Sequence, residues 1–232
     1  MKEKCMKLSQ ATREILSHFS TQGQHFVFTV GKRQSMLTSN RSRLVIADIE
    51  EEMPVQAGIA DLKKFVSCMN TFEEPELTFG ENYASLLEGA TEAKFCLSGL
   101  ESLIYPKNEL KFPANGLQFK LNEESVKKIL KYLRVMSYKE LAIESRGGKV
   151  VARVLSAPQS DEDQLEISLG LCEQDFSLSM NVEGLNLIPD SYDLFLSEKA
   201  IVKLKSTTKE LTYFLAVNNI VYTEKEVANV QE

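Results

Sequence analysis

The fold is indicated most clearly by the stretch Asn122–Met136, which reads NEESVKKILKYLRVM. At 100° per residue, its apolar side chains fall on one side of a helix and its cations fall on the other. The apolar stripe consists of Val126, Ile129, Leu130, Leu133 and Met136. The cations are Lys127, Lys128, Lys131 and Arg134. We therefore expect one face of this helix to pack against the protein and the other to attract anions.

A cluster of four cations can also be an ordinary solvated helix face. Lys63 and Lys64 supply a second cationic helix face, and Arg13 lies opposite the apolar stripe of the first predicted helix. The chain as a whole is acidic, with a formal net charge of −6 from 27 basic and 33 acidic residues. Without these seven cations, 20 basic residues face 33 acidic ones, a net charge of −13. Positive charge is thus localised, which predicts a polyanionic partner.

The composition is that of a globular protein. The 232 residues are enough for one large domain or two of about 115 residues. No apolar run reaches the roughly 18 residues of a membrane span. The start of the chain, MKEKCMKLSQ, lacks the apolar core of a signal peptide. We expect a soluble intracellular protein with no membrane partner.

The cysteines and histidines show no metal-binding or catalytic spacing. The two histidines, His18 and His25, form no HExxH motif. No CxxC pair occurs among the cysteines, which we interpret as free thiols: Cys5, Cys68, Cys96 and Cys172. The sequence therefore predicts no cofactor, no metal and no catalytic site. An enzyme that uses His25 or Cys96 in a hidden cleft is the weakest alternative.

The two halves of the chain repeat one order of predicted elements: helix, four strands, helix, three strands. In the first half we predict helices at 9–20 and 61–70, and strands at 25–30, 35–38, 43–49, 53–60, 76–80, 82–87 and 92–99. The second half opens with a strand at 116–121. Its helices are predicted at 122–136 and 182–188, and its other strands at 140–145, 149–155, 164–171, 174–180, 191–197, 200–206 and 211–218. Ser9, Asp61 and Asn122 are predicted helix N-caps.

Several stretches between Met6 and about Tyr222 resemble one known family. They are Met6-Lys7-Leu8-Ser9 with the helix to Phe19, Ala60-Asp61-Leu62 leading into Phe65, Lys107-Asn108 with Phe112-Pro113, Leu133-Arg134-Val135, Gly148-Lys149-Val150 and Tyr213-Phe214-Leu215-Ala216. In order and spacing they are similar to the sliding clamps of large tailed phages. These clamps are DNA polymerase processivity factors, in the wider family that includes proliferating cell nuclear antigen.

The resemblance implies an α+β DNA-clamp fold with two similar domains, each with two helices packed on antiparallel sheet. It implies an N-terminal domain at 1–105, a connector at 106–114 and a C-terminal domain at 115–232. Subunits would form a head-to-tail homotrimer, a closed ring that encircles double-stranded DNA, tethers the DNA polymerase and is opened by an ATP-driven clamp loader. Such a clamp has no active site, and we expect it in the cytoplasm, or in the host cell cytoplasm if a phage encodes it.

The resemblance also assigns the cations to the wall that faces DNA. A ring that slides should contact phosphates, which repeat along any sequence, and should avoid base readout. Long lysines suit weak and replaceable contacts. The residues assigned to this wall are Arg13, Lys63, Lys64, Lys127, Lys128, Lys131 and Arg134. The fourth predicted helix, 182–188, contains no basic residue.

Two further sets of residues follow from the resemblance. Subunits would join through two strand edges carrying Phe95 and Leu97, and Ile167 and Leu169, although both strands can also be internal. Apolar peptides of polymerase and other partners would bind near the connector, in a pocket formed by Leu44, Ile104, Tyr105, Phe112, Phe214 and Val217. Any of these six residues can equally belong to the core.

Two alternative functions remain open from the sequence. A conventional DNA-binding module without sequence preference would account for the cations. A self-assembling structural protein would account for the many strands and the internal repeat.

Overall fold

The computed structural model describes residues 5–112, 117–156, 164–182, 185–197 and 200–222. It divides into two compact units. The first unit contains the chain up to Leu110 together with Glu210–Tyr213, and the second contains Lys111–Lys209 together with the chain from Phe214 onward. The predicted domain limits at 105 and 115 stay a prediction.

The first unit is built largely from antiparallel strands. One sheet has the order β1-β6-β7-β8. Strand β2 pairs with β5, and β3 pairs with β4. The N-terminal part of β16 follows β4 in the order β3-β4-β16. The strands are β1 (Met6–Lys7), β2 (Phe26–Phe28), β3 (Gly31–Leu37), β4 (Arg43–Met53), β5 (Ala57–Ile59), β6 (Glu76–Phe79), β7 (Tyr83–Glu88), β8 (Thr91–Cys96) and β16 (Leu211–Ala216).

The helices of the first unit, α1 (Gln10–Gln22) and α2 (Leu62–Met69), begin at the predicted caps. The Ser9 hydroxyl accepts a hydrogen bond from Thr12 N at 3.2 Å, and Asp61 Oδ1 accepts one from Lys64 N at 2.9 Å. Each bond satisfies one of the free amides at a helix start. The two N-cap predictions are confirmed.

Phenylalanine rings join the helices to the strands in the first unit. Phe19 of α1 lies 5.5 Å from Phe26, measured between ring centroids, and Phe26 lies 4.8 Å from Phe28. Phe28 contacts both Phe65 of α2, at 6.0 Å, and Phe79 of β6, at 5.5 Å. Rings tilted or edge-on at these distances add to the free energy gained by burying them. This core fixes the outward faces of α1 and α2.

The second unit contains one described helix, α3 (Glu123–Met136), whose predicted N-cap Asn122 accepts a hydrogen bond from Ser125 N at 2.8 Å. One sheet has the order β12-β11-β10-β13-β17, and a second has the order β16-β15-β14-β9. The strands are β9 (Gln118–Leu121), β10 (Glu140–Arg146), β11 (Lys149–Leu155), β12 (Gln164–Leu171), β13 (Phe176–Asn181), β14 (Tyr192–Ser197), β15 (Ile201–Ser206) and β17 (Asn219–Tyr222), with the C-terminal part of β16.

The apolar face of α3 lies against an aliphatic core. Val126, Ile129 and Leu133 are less than a tenth exposed. Leu130 lines a small apolar cavity with Ile143 and other aliphatic side chains. Met136, predicted to complete the stripe, is 43% exposed, because it lies in the last turn, where the helix extends past its packing partners.

The fourth helix, predicted at 182–188, is wrong in its described part. Val182 and 185–188 are irregular, and Glu183 lies outside the described residues. Val182 N donates to Lys139 O at 2.7 Å, and Leu185 N donates to Val182 O at 2.8 Å. A stretch of seven residues before a proline is too short to form a stable helix against such contacts.

The predicted α+β class and antiparallel sheets are confirmed. Most predicted elements are present within a few residues, although the strand predicted at 211–218 ends at Ala216 and a separate strand, β17, follows it. All four cysteines are free thiols. Among the described residues, no group of three or more His, Cys, Asp or Glu side chains is placed to hold a metal ion.

The described helices were also compared with the length and hydropathy that a membrane crossing requires. None of them is long and apolar enough to cross a membrane.

Candidate nucleic-acid interface

Helix α2 presents Lys63 and Lys64 to solvent. Both side chains are exposed, whereas the neighbouring Leu62, Phe65 and Val66 are buried. The α2 cap and the phenylalanine core hold this orientation. Neither lysine forms an ion pair with another described residue, so both ammonium groups can bind an external anion.

Arg13, assigned to the same wall, is engaged by the protein itself. Its guanidinium nitrogen Nη1 donates to Glu73 O at 2.7 Å, and Nη2 donates to Phe72 O at 2.9 Å. These carbonyls follow the C-terminal end of α2, where backbone oxygens lack helical partners. The side chain is half-buried. The structure gives Arg13 a role in joining α1 to α2, and its assignment to the DNA-facing wall stays a prediction.

Two of the four cations on α3 are paired within the helix. Lys127 Nζ lies 2.6 Å from a carboxylate oxygen of Glu123, and Lys128 Nζ lies 2.7 Å from one of Glu124. Because these side chains are about half exposed or more, solvent screens each pair, which contributes little to stability. A phosphate can therefore replace either carboxylate at low cost.

Lys131 and Arg134 are exposed and form no ion pair with the described residues. Lys131 Nζ lies 5.8 Å from the centroid of the Tyr132 ring, which shields little of its charge. The exposed face of α3 thus has a paired N-terminal half and an unpaired C-terminal half. Glu123 and Glu124 were missed in the sequence, although their i,i+4 spacing to the lysines was a visible signal.

The strand edges predicted to join subunits are present as edges. Among the described strands, β8 pairs only with β7, and β12 pairs only with β11. Three of the predicted interface side chains, Phe95, Ile167 and Leu169, pack within their own units. Phe95 is half-buried, with its ring 5.1 Å from that of Phe65, and Ile167 and Leu169 are 9% and 7% exposed.

Alternate side chains of a strand turn inward, and the role of these four residues as direct subunit contacts stays a prediction. Leu97 is half-buried, and its backbone amide donates to Asn82 O at 3.0 Å. Leu171, which follows Gly170 with its φ of 124°, is 79% exposed. A β-bulge next to Val150 re-aims the end of β12, so this leucine leaves the core.

The residues predicted to form a peptide pocket fall in both units. In the second unit the ring of Phe112 lies 5.9 Å from that of Phe214, and Val217 is buried. In the first unit Ile104 and Tyr105 are half-buried. Whether the six residues form one pocket stays a prediction.

Leu44 lines a cavity of about 380 Å³ within the first unit. Its lining residues lie on β3, β4, the turn before β3 and the connector: Thr29, Arg33, Ser35, Leu44, Ile46, Pro106, Lys107, Asn108, Glu109 and Leu110. Only Leu44 of this set was predicted as a pocket residue. The basic pair Lys32-Arg33 and the charged run in the connector were the only signals in the sequence.

Comparison with known proteins gives a consistent result. No family model matches the chain. A curated protein named "Sliding clamp" from Vibrio phage KVP40 is 24% identical over 219 residues, which cover 91% of this chain and 98% of that protein.

Solved structures extend the likeness to the fold. Proliferating cell nuclear antigen from Entamoeba histolytica has a TM-score of 0.68 at 13% identity and covers 93% of this chain and 98% of its own. The PCNA2-PCNA3 complex from Sulfolobus tokodaii has a TM-score of 0.63 at 16% identity, with 93% and 99% covered. The beta clamp of H. pylori has a TM-score of 0.68 at 12% identity, with 94% and 67% covered. The chain has the clamp fold, and the resemblance inferred from the sequence is confirmed.

Proposed function

We propose that this chain is a DNA polymerase sliding clamp. The observation that carries the proposal is the match to the phage clamp over 98% of that protein's length, together with the clamp fold over 93% of this chain. The clamp works by topology: a closed ring around double-stranded DNA tethers the replicative polymerase, and no catalytic chemistry is asked of the chain.

The DNA-facing wall is proposed to include Lys63 and Lys64 of α2, and Lys127, Lys128, Lys131 and Arg134 of α3. Their exposure and the weakness of the two internal ion pairs support this role. Each contact to a phosphate is weak and is replaced by the next phosphate along the duplex. DNA is therefore held without being bound at one position.

The ring is proposed to be a homotrimer joined through β8 of one copy and β12 of the next. Both strands have one unpaired edge, and such edges pair readily with another strand through backbone hydrogen bonds. Three chains of 26.1 kDa give about 78 kDa. Native mass spectrometry should find this discrete mass, whereas an open-ended polymer would favour the self-assembling structural protein.

The proposed partners are the DNA polymerase, which the ring tethers, and an ATP-driven clamp loader, which opens it. The proposed place of action is the cytoplasm, or the host cell cytoplasm if a phage encodes the chain. No cofactor is proposed.

Retention on DNA tests the function itself. After loading, the protein should stay on closed circular DNA through a high-salt wash and should run off linear DNA of the same sequence. Blocking the ends of the linear DNA with bulky protein should restore retention. Equal retention on circular and open linear DNA would show binding by affinity, as in a conventional DNA-binding module, and would refute the clamp.

A further inference from the structure

We propose that the cavity of the first unit selects a partner segment that carries a carboxylate, and that this carboxylate binds Arg33 in place of the protein's own Glu109. The occupant is an extended peptide segment with an apolar side chain beside one Asp or Glu. The inference rests on the proposed function in one respect only, namely the identity of the protein that supplies the segment. The argument for the carboxylate depends on the cavity alone.

The cavity combines an apolar wall with a charged rim. Leu44 and Ile46 lie two residues apart on β4 and so point to the same side of the strand. Pro106 and Leu110 of the connector face them across a volume of about 380 Å³. This space is large enough for one or two side chains of a peptide.

The basic side of the rim is held by a rigid loop. Gln34 is fully buried, and its Nε2 donates to Thr29 O at 2.8 Å and to Gly31 O at 2.9 Å. Its Oε1 accepts from Thr29 N at 2.9 Å. The hydroxyl of Thr29 also donates to Arg33 O at 2.6 Å. Arg33 is thus presented from an ordered backbone, which lowers the entropy lost when its side chain binds a ligand.

The charge of the rim favours an anionic ligand. The lining residues include two cations, Arg33 and Lys107, and one carboxylate, Glu109, within a chain of net charge −6. Asp48 lies opposite Arg33 in the strand register but does not line the cavity. Lys107 is exposed and forms no ion pair with the described residues.

Glu109 occupies the place that a ligand carboxylate would take. The Arg33 Nη1 to Glu109 Oε1 distance is 3.6 Å, and the two side chains are 61% and 76% exposed. Such an exposed pair is weak and exchanges readily. Since Glu109 lies on the connector, a carboxylate that binds Arg33 releases the connector side chain from β3. The arrangement therefore both selects the ligand and limits its affinity.

The test uses displayed libraries of random ten-residue peptides, selected on the intact protein without DNA. The selected peptides should carry Asp or Glu next to an apolar residue.

Replacing that acid with its amide should weaken binding about fivefold, the limit expected for one exposed ion pair. On the Arg33→Gln variant the acid and amide peptides should bind equally. Glu109→Gln should strengthen binding of the acid peptide two- to threefold, as expected from loss of a weak internal competitor. Lys32→Gln, next in sequence but outside the cavity lining, is the matched control and should behave as the unmodified protein.

Two results would overturn the proposal. One is an acid preference that persists in Arg33→Gln, or selected peptides that carry no acid. The other is unchanged binding to Ser35→Phe, which places a ring in the cavity. Failure of the clamp function is seen separately, as loss of retention on circular DNA, and leaves the peptide measurements valid.

Discussion

The guanidinium of Arg13 binds backbone carbonyls that follow the C-terminal end of helix α2. The guanidinium donates to backbone oxygens of Phe72 and Glu73, which lie 59 and 60 residues away in the chain. A cation placed there also complements the partial negative charge at the C-terminal end of α2. If the Arg13 guanidinium bound a phosphate instead, these carbonyls would lose their hydrogen-bond partner. The internal contact therefore competes with binding to DNA.

Arg13→Gln is therefore expected to lower the free energy of unfolding by about 1–3 kcal/mol, because charge-assisted hydrogen bonds are lost. The salt dependence of DNA binding should not change. Lys131→Gln, the matched control, should leave stability within about 0.5 kcal/mol and reduce the slope of log K against log salt by about 1. Urea denaturation and binding titrations at several salt concentrations measure both. A reduced slope for Arg13→Gln would mean that Arg13 contacts phosphate after all.

His18 makes the stability of the protein depend on pH. Its side chain is 8% exposed, its Nε2 lies 2.7 Å from the Tyr213 hydroxyl oxygen, and burial lowers its pKa from 6.5 to about 4. The unfolded chain takes up a proton near pH 6.5, whereas the folded protein does so only near pH 4. Folding stability from this residue is thus complete above pH 6.5 and falls as the pH is lowered toward 4.

Acidification from pH 7 to 4 should cost on the order of 3 kcal/mol through His18. His18→Gln keeps a polar side chain but cannot titrate, so its stability should fall less over the same range. Urea denaturation at pH 7, 6, 5 and 4.5 gives the comparison. Parallel curves for the two proteins would show that His18 does not carry the pH dependence.

At the scale of elements, acidic side chains of α3 reduce the positive charge that this helix presents to a partner. Glu123 and Glu124 lie in its first turn, where a carboxylate is favoured by the helix dipole, and they neutralise Lys127 and Lys128. The same residues that stabilise the helix therefore weaken its attraction for DNA.

The double substitution Glu123→Gln and Glu124→Gln should raise the affinity for duplex DNA several-fold at low salt, because two lysines are released and two repelling charges are removed. Helix stability should fall slightly with each lost carboxylate, because the helix dipole favours acidic side chains in the first turn. Asp193→Asn on β14 changes the net charge without touching α3 and should have a smaller effect. If Asp193→Asn raised the affinity for DNA as much per removed charge as the double substitution does, a local role of α3 would be contradicted.

Strand β12 contains one buried and one exposed leucine close together in the chain. Leu169 is 7% exposed and Leu171 is 79% exposed, only two residues further along. Without the bulge both would point to the same side.

Leu169→Ala should lower the free energy of unfolding by about 2–5 kcal/mol, since it empties a packed site. Leu171→Ala should change stability by less than about 0.5 kcal/mol but weaken subunit association, because an exposed leucine at a free strand edge gains by burial in an interface. Chemical denaturation measures the first effect and native mass on dilution the second. A Leu171→Ala protein that resists dilution as well as the unmodified one would remove Leu171 from the interface.

At the scale of the whole molecule, the features proposed to bind DNA are separate from those proposed to build the ring. Cations lie on exposed helix faces, and the unpaired strand edges carry the capacity for assembly. A change in one set should leave the other intact.

Reversal of Lys127, Lys128 and Lys131 to Glu should therefore impair loading and polymerase stimulation while the trimer mass stays at about 78 kDa. Loading assays on circular DNA and native mass spectrometry on the same sample measure the two properties. Unchanged stimulation at moderate salt would remove these residues from the DNA-facing wall.

Local sequence patterns were sufficient to predict the features that depend on neighbouring residues. Apolar periodicity and N-cap residues were enough to place α1, α2, α3 and most strands, because these signals act within a few residues. The localised cations on α2 and α3 followed from the same helical period. The resemblance added the clamp fold, which the comparisons confirm.

Contacts between distant parts of the chain set which of these groups are available to a partner. Arg13 is engaged by carbonyls about 60 residues away, Arg33 by Glu109, and Ile167 and Leu169 by their own core. In the described part of the helix predicted at 182–188, the amide of Val182 bonds to Lys139 O instead. In each case the deciding contact joins residues that are distant in the chain, and a local pattern contains no information about the distance between them.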